Sequence, residues 1–295
     1  MIKGKMTVVS SCNDAFAAHV TALFVSILEN IKGSKAALEF YVIDHEISLV
    51  NKRLMRTSIK GYGAALHFLT IDKHYFDCAV ESDRIPETAY YRIAIPELLK
   101  NKDIDRVLYL DCDMIAVEDI SELWNIDLTD YTVAAIEDAG FHQRLEKMEI
   151  ACDSTKYFNS GFMLINVKKW LNENVTKRVL RFIEDNPEKL RFHDQDALNA
   201  ILHDQWLSLH PKWNAQSYIM NREVKHPDPT GEREYSETRK APKIIHYSGH
   251  IKPWSDEFTS PLKRYYEEYE RLTAFSADYE CEKKETVLQT TKRYG

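Results

Sequence analysis

Apolar and polar positions change period repeatedly along the first two thirds of the chain. Thr7-Val8-Val9-Ser10-Ser11 is a short apolar run of the kind a buried strand needs. After Asn13 and Asp14, both capping residues, Phe16, Val20, Leu23, Phe24, Ile27, Leu28 and Ile31 recur at three- and four-residue steps. This predicts a helix, stopped at Gly33. Residues 38–43 predict the second strand, 48–60 a helix closed by Gly61, and 65–69 a third strand. Strands separated by helices predict a parallel sheet with crossover helices.

Residues 89–99 read as a helix that Pro96 would kink. The strongest strand of the chain, Arg106–Leu110, then runs directly into Asp111-Cys112-Asp113. Residues 132–136 and 161–165 predict two further strands, the first ending in Glu137-Asp138. Residues 168–185 predict one long amphipathic helix, stopped at Asn186-Pro187. Beyond about residue 205 the pattern is irregular, except for an apolar pair before His246 and a last helix over 261–272 carrying Tyr265, Tyr266 and Tyr269. From Ser276 onward the chain is polar and lacks an apolar face. No repeat and no linker divides it.

Composition narrows the classes. The 295 residues are 44% hydrophobic and 29% charged, enough to bury a core without a disulfide or metal staple. A net charge of −7, from 39 basic and 46 acidic residues, argues against nucleic acid as a partner. The five cysteines, at 12, 78, 112, 152 and 281, form no C-x-x-C pair and no finger-like spacing, which argues against a disulfide framework and a structural zinc site and fits a reducing cytosol. The basic start, Met1 to Lys5, is followed by too short an apolar stretch for a signal peptide, and no run approaches a membrane span. The expectation is a cytoplasmic protein.

Four segments carry chemistry. Asp111 and Asp113 stand at the carboxyl end of a strand, the edge at which open α/β sheets bind ligands, and two such carboxylates can converge on one hard cation. An acidic solvated turn is the structural alternative. His246 follows a short apolar run, with Gly249, Lys252 and Trp254 close behind. It could be a third metal ligand, favouring Mn²⁺ over Mg²⁺, or a turn histidine beside a structural Trp. Asp194-Gln195-Asp196 opens a helix, where Asp194 could be a helix cap or, with Gln195, line a cleft. Asn159-Ser160-Gly161 reads first as a turn, and Arg92 as an ion-paired or surface residue beside Tyr90 and Tyr91.

In this order the segments Leu108–Asp113, Phe158–Phe162, Asp194–Asn199 and His246–Trp254 resemble glycosyltransferase family 8, most closely its bacterial lipopolysaccharide and lipooligosaccharide galactosyl- and glucosyltransferases. The resemblance runs from about Met6 to Leu272. It implies an α/β, Rossmann-like GT-A domain over 1–275, with a mostly parallel central sheet, a small helical C-terminal extension and a polar tail over 276–295. It also implies a UDP-galactose or UDP-glucose donor, a Mn²⁺ ion with Mg²⁺ as the alternative, and transfer to a saccharide acceptor, a lipopolysaccharide or other cell-surface glycan, with retention at the anomeric carbon. Asp111, Asp113 and His246 match the metal ligands, with Cys112 between the two carboxylates on the donor side. Ser11 and Asn13 match the loop that holds uracil and ribose, although the family often has an acidic residue where Asn13 stands. Arg92, Asn159, Ser160, Asp194 and Gln195 match donor-sugar contacts, and Gly249 and Lys252 the diphosphate clamp. Asp138 or Glu137 falls where the family lines the sugar and acceptor cleft.

The residue beneath the sugar would be Gln195, an amide and a poor nucleophile. The resemblance therefore points to same-face attack by the acceptor hydroxyl, with Gln195 and Asp194 orienting the sugar. Three alternatives stand beside this expectation: a glycogenin-like or stress-associated transferase with a protein or small acceptor, a UDP-sugar-binding protein without turnover, and an assembly module built on the last helix. The mixed charges of the tail predict at most peripheral membrane contact.

Overall fold

Alternate residues of one strand feed two different cores. In β1 (Met6–Asn13), Val8 packs with Leu23, Phe24 and Phe40 on one face of a sheet, while its neighbour Val9 packs with Tyr41, Tyr109 and Ile165 on the other. Strands covered on both faces carry consecutive apolar residues, which is why Val8-Val9 and Val107–Leu110 show no alternation. The structure is a computed structural model that describes residues 5–33, 35–71, 87–152 and 156–277.

The remaining strands are β2 (Leu38–His45), β3 (Ala65–Thr70), β4 (Arg106–Leu110), β5 (Met114–Ala116), β6 (Val133–Glu137), β7 (Phe158–Asn166), β8 (Trp206–Ser208), β9 (Ala215–Gln216) and β10 (Ile244–His246). The helices are α1 (Ala17–Asn30), α2 (Leu49–Lys60), α3 (Ile95–Leu99), α4 (Arg144–Lys147), α5 (Val167–Asn172), α6 (Val175–Asp185), α7 (His193–Leu202), α8 (Ser217–Met220), α9 (Pro229–Lys240) and α10 (Lys263–Glu270). The larger sheet runs β3-β2-β1-β4-β7-β6-β8. Its pairings are parallel except where β7 meets β4 and β6. The expected mostly parallel α/β sheet is therefore present.

A small second sheet, β5-β10-β9, sits at the end of β4. It is tied to α1 by polar side chains. Ser26 Oγ accepts the Ala116 amide at 2.9 Å, and Asn30 Nδ2 donates to Ala116 O at 3.1 Å and to the Tyr269 hydroxyl at 2.7 Å. His19 stacks on Trp254 with ring centroids 3.7 Å apart, fixing the segment after β10 against the same helix.

Several local expectations change. The helix expected over 168–185 is two, α5 and α6, because Asn174 adopts a left-handed backbone (φ 52°) between them. The segment expected as a helix from 89 is 3₁₀ over Glu87–Ala94, and Pro96 lies in the first turn of α3. A missing N–H costs nothing there, so Pro96 starts the helix and does not kink it. Asn159-Ser160-Gly161 lies inside β7 and is not a turn before it. Helix α9 was hidden among polar residues: only Gly231, Tyr235 and Thr238 are buried, although Asp228 caps it and Pro229 opens it. The tail from 278 lies outside the described residues, as do Cys78 and Cys281. Among the described residues no helix is long and apolar enough to cross a membrane.

Candidate active site

The step from β4 to β5 brings the acidic pair between the two sheets. Asp111 follows β4, where its amide donates to Gly161 O at 2.9 Å. Asp113 precedes β5, and its carbonyl accepts the Tyr247 amide at 2.9 Å. Because β10 runs antiparallel to β5 with His246 opposite Met114, His246 arrives beside Asp113, its Nε2 3.3 Å from Asp113 Oδ1. One ligand atom from each of Asp111, Asp113 and His246 lies within 4.8 Å of the others.

The surroundings prepare these groups for a cation. The His246 Nδ1 contacts Asn214 Oδ1 at 2.9 Å, and Asn214 Nδ2 in turn donates to Asn159 Oδ1 at 2.9 Å. An Nδ1–H donated to that carbonyl leaves Nε2 as a free lone pair pointing at Asp113. Asp113 Oδ1 is buried and has no hydrogen-bond partner. Its other oxygen accepts from Lys252 Nζ at 2.6 Å, and Lys252 also donates to Tyr247 O at 2.8 Å. Burial would raise the Asp113 carboxyl, but the Lys252 ammonium, joined by His246 whenever that ring is protonated, outweighs it and holds the group well below the usual carboxylate range. Asp111 accepts from the Tyr109 hydroxyl at 2.7 Å and pairs with Arg92 at 3.0 Å.

Gly161 has a geometric reason to be glycine. A Cβ there would stand 2.6 Å from Asp111 Oδ2 and 2.9 Å from His246 Cε1. The register between β6 and β7 shifts at this point: Ala135 pairs with Met163, but the next residue, Ile136, pairs with Asn159. The bulge leaves Ser160, Gly161 and Phe162 to continue toward β4 and turns Asn159 and Ser160 to the sheet edge.

A second network covers that edge. Buried Arg92 binds Asp111, Ser160 Oγ (3.1 Å) and Asp194 Oδ2 (3.1 Å), with its guanidinium 4.9 Å from the centre of the Tyr109 ring. Ser160 Oγ also donates to Asp194 at 3.2 Å. Burial pushes the Asp194 carboxyl up to about 6 against the pull of Arg92. Gln195 Oε1 accepts the Ser160 amide at 3.0 Å, and Gln195 Nε2 and Asn159 Nδ2 both donate to Asp138 Oδ2, at 3.1 and 2.9 Å.

Asp194 is therefore not the cap of α7. The cap position is Phe192, which has no side-chain cap, and Asp196 inside the helix reaches back so that its Oδ2 accepts the amides of Arg191 and Phe192 at 2.7 Å each. Asp138, not Glu137, joins the network. Ser11 reaches the Tyr109 hydroxyl at 3.4 Å, and Asn13 caps the first turn after β1 by accepting from the Phe16 amide. Cys112 packs at the edge of the core. Nothing in the structure crowds Gly249, where a Cβ would come no nearer than 4.0 Å to Ser217.

A profile described as glycosyl transferase family 8 matches residues 7–257. The chain belongs to that family. It is 44% identical over 274 residues to general stress protein A of Bacillus subtilis, covering 92% of this chain and 95% of that protein. It is 27% identical over 237 residues to the lipopolysaccharide 1,3-galactosyltransferase of Salmonella typhimurium, covering 78% of this chain and 68% of that one. The fold is similar to that of the galactosyltransferase LgtC, crystallised with donor and acceptor sugar analogs (TM-score 0.79, 25% identity, 90% of this chain and 95% of that one). Other relatives are longer: the chain spans 59% of a putative glycosyltransferase of Haemophilus influenzae. The protein is thus a family 8 glycosyltransferase with a GT-A fold.

The structure gathers Arg92, Asp111, Asp113, Asp138, Asn159, Ser160, Asp194, Gln195, His246 and Lys252 at one edge. Three further participants escaped the sequence: Tyr109, Asn214 and Gly161. Tyr109 looked like one more apolar strand residue and Asn214 sat in an irregular stretch. The asparagine two residues before Gly161 suggested a turn.

Proposed function

We propose that the protein transfers a hexose from UDP-galactose or UDP-glucose to a saccharide acceptor with retention at the anomeric carbon. The observation that carries this reading is the Asp111, Asp113 and His246 triad, with Lys252 on one side and the Arg92–Asp194–Gln195–Asp138 network on the other. The triad fits a divalent cation. Asp113 Oδ1 is a buried acceptor without a donor, and Asn214 holds His246 in the tautomer that leaves Nε2 free. Those three residues would hold Mn²⁺, or Mg²⁺, which would supply Lewis-acid neutralisation of a diphosphate leaving group.

The chain's own residues do the rest. Lys252 adds fixed positive charge where the leaving phosphate becomes more negative. Ser11 and Asn13 sit at the end of β1 to receive the nucleoside, and the segment at Gly249 leaves backbone room for the diphosphate. Arg92 locks Asp111 and Asp194 in one orientation. Gln195, Asn159 and Asp138 form a hydrogen-bonded cluster that would contact sugar hydroxyls. An amide at 195 is a poor covalent nucleophile, so the acceptor hydroxyl attacks on the face from which the phosphate departs. Its proton goes to the departing phosphate oxygen. The solved active-site mutant of LgtC replaces a glutamine with glutamate, and glutamine is the residue type at 195 here.

The test is a donor panel with proton NMR of the product. UDP-galactose or UDP-glucose should yield an α linkage, and Asp113→Ala should abolish turnover. A β linkage, or normal turnover by Asp113→Ala in excess EDTA, would overturn the reading. The relative at 44% identity is named for general stress and not for a surface glycan, so a protein or small-molecule acceptor stands as the second reading. An acceptor screen separates the two. Slow donor hydrolysis without acceptor is expected of a transferase and absent from a mere UDP-sugar binder.

A further inference from the structure

Glu137 and Asp138 are adjacent but serve different clusters. The Glu137 carboxylate meets two histidines: His142 Nδ1 at 2.8 Å from Oε1, and His226 Nε2 at 3.4 Å from Oε2. The two imidazoles pack edge to face, 4.6 Å between centroids. One ligand atom from each of the three residues lies within 4.8 Å of the others, the same closeness as in the Asp111 triad. The three side chains are only 16%, 17% and 12% exposed, in the order Glu137, His142, His226.

Hydrogen bonding within the cluster does not satisfy it. The His142 Nδ1 contact to Glu137 leaves the opposite ring nitrogen, Nε2, buried without a partner, and ligation through Nδ1 would place the ring proton on Nε2. The hydroxyl of Tyr235, whose ring lies edge-on to His226, is also buried and unpartnered. Contacts at Nδ1 fix the position of the His226 ring. Its Nδ1 lies 3.2 Å from Asp228 O, so an Nδ1–H given to that carbonyl leaves Nε2 free toward Glu137. The Asp228 amide, 3.0 Å away, would favour the other tautomer, so the ring can switch when an ion arrives. A Cβ at Gly231 would come within 2.3 Å of this ring, so the first turn of α9 is shaped around it. A cleft of about 180 Å³, lined by Glu137, His226, Asp228, Glu234 and Tyr235, gives an ion a way in.

We propose that Glu137, His142 and His226 bind a borderline divalent ion, zinc in the first place, at a site separate from the Asp111–Asp113–His246 triad. Two imidazoles and one carboxylate suit zinc, with the fourth position open to the cleft, and no cysteine is required. The ion would join the end of β6, the turn through His142 and the segment leading into α9. Asp138 is the first residue of that turn, so the bound ion would stiffen the backbone that carries it into the donor-site network.

The test uses the full chain carrying Asp113→Ala, which removes the first triad, freed of metal with a chelator. Titration with Zn²⁺ by calorimetry should show a saturable site. Co²⁺ should give the visible absorption of a low-symmetry, nitrogen-ligated ion, and Zn²⁺ should raise the melting temperature. Adding His142→Ala or His226→Ala should weaken Zn²⁺ binding by about 100-fold or more, the scale on which even supporting residues of a metal site matter. Should either histidine variant fail to fold, Glu137→Gln, which keeps the side chain's shape, should show the same loss. Absence of saturable Zn²⁺ binding in Asp113→Ala overturns the proposal. So does unchanged affinity in the folded histidine or Glu137→Gln variants.

Discussion

The parallel half of the large sheet and the small sheet beside it are held by different mixes of forces. β1 and β2 share eight paired residues and are buried between two apolar layers. β9 and β10 share two, and the small sheet, though its strands are buried too, is aligned by single polar contacts: Ser26 and Asn30 to Ala116, Asn214 to His246. Burial of apolar area is non-directional, so the first region tolerates adjustment and supplies stability. Hydrogen bonds fix angles and distances, so the second region supplies position. The candidate site lies on the seam, with Asp111 at the end of the first and His246 in the second.

This contrast predicts that substitutions at the seam remove activity out of proportion to stability, and that substitutions under the parallel half do the reverse. The largest effect belongs to Asp113→Ala, which should eliminate turnover, as should excess EDTA with the wild-type protein; UDP release measures both. Next is Gln195→Ala. Removing one oriented electrostatic group commonly costs about 3–4 kcal/mol in the transition state, so kcat should fall by about two to three orders of magnitude. UDP affinity, read by calorimetry, should hardly move. A matching loss of UDP affinity would place Gln195 on the nucleotide and not the sugar. Gly161→Ala should cost about 100-fold in kcat, the scale of a misplacement of about 1 Å, because its Cβ would displace Asp111 or His246. The mirror experiment is Leu23→Ala, fully buried in the layer under β1. It should lower unfolding free energy by about 2–5 kcal/mol in a urea melt while the folded fraction keeps its kcat. Comparable kcat losses in Leu23→Ala and Gly161→Ala would erase the distinction between the two regions.

The same contrast explains what was legible beforehand. Strands β1, β2 and β4 and helix α1 were readable because each buries enough consecutive or periodic apolar residues to leave a signature; α2 and β3 bury little and were marked by their apolar pattern and by Gly61 between them. A three-residue strand such as β5 or β10 has no period, and α9 buries too little to show one. Asp111 and Asp113 stood out because a strong strand ends in them, and the family resemblance placed Asp194 and Gln195. Asn214 carries no such mark. Its role arises only when β9 comes alongside β10, a pairing of residues about thirty apart with nothing periodic between them. Glu137 and Asp138 could not be told apart because strand residues alternate sides, and the bulge in β7 decides which carboxylate reaches Asn159.

The last expected effect is a dependence on pH, and it tests whether the seam was built for position at some cost in stability. The Asp194 carboxyl stands at about 6 in the folded protein, against 3.8 for an ordinary aspartate, because burial outweighs the attraction of Arg92. Between those values the folded state binds more protons than the unfolded one, so stability contributed at this position falls as pH rises through the window and is level above it. Asp194→Asn cannot titrate and removes that slope. In metal-free protein, the unfolding free energy of wild type minus that of Asp194→Asn should therefore decrease from about pH 4 to about pH 6 and stay constant beyond, and contributions from Asp111 and Asp113 largely cancel in the difference. Urea melts of the two proteins across that range provide the measurement. A difference that grew with pH would mean that Arg92 stabilises the ionised form more than burial disfavours it. Asp194 would then be an ordinary structural ion pair, and the seam would carry no stability cost at this residue.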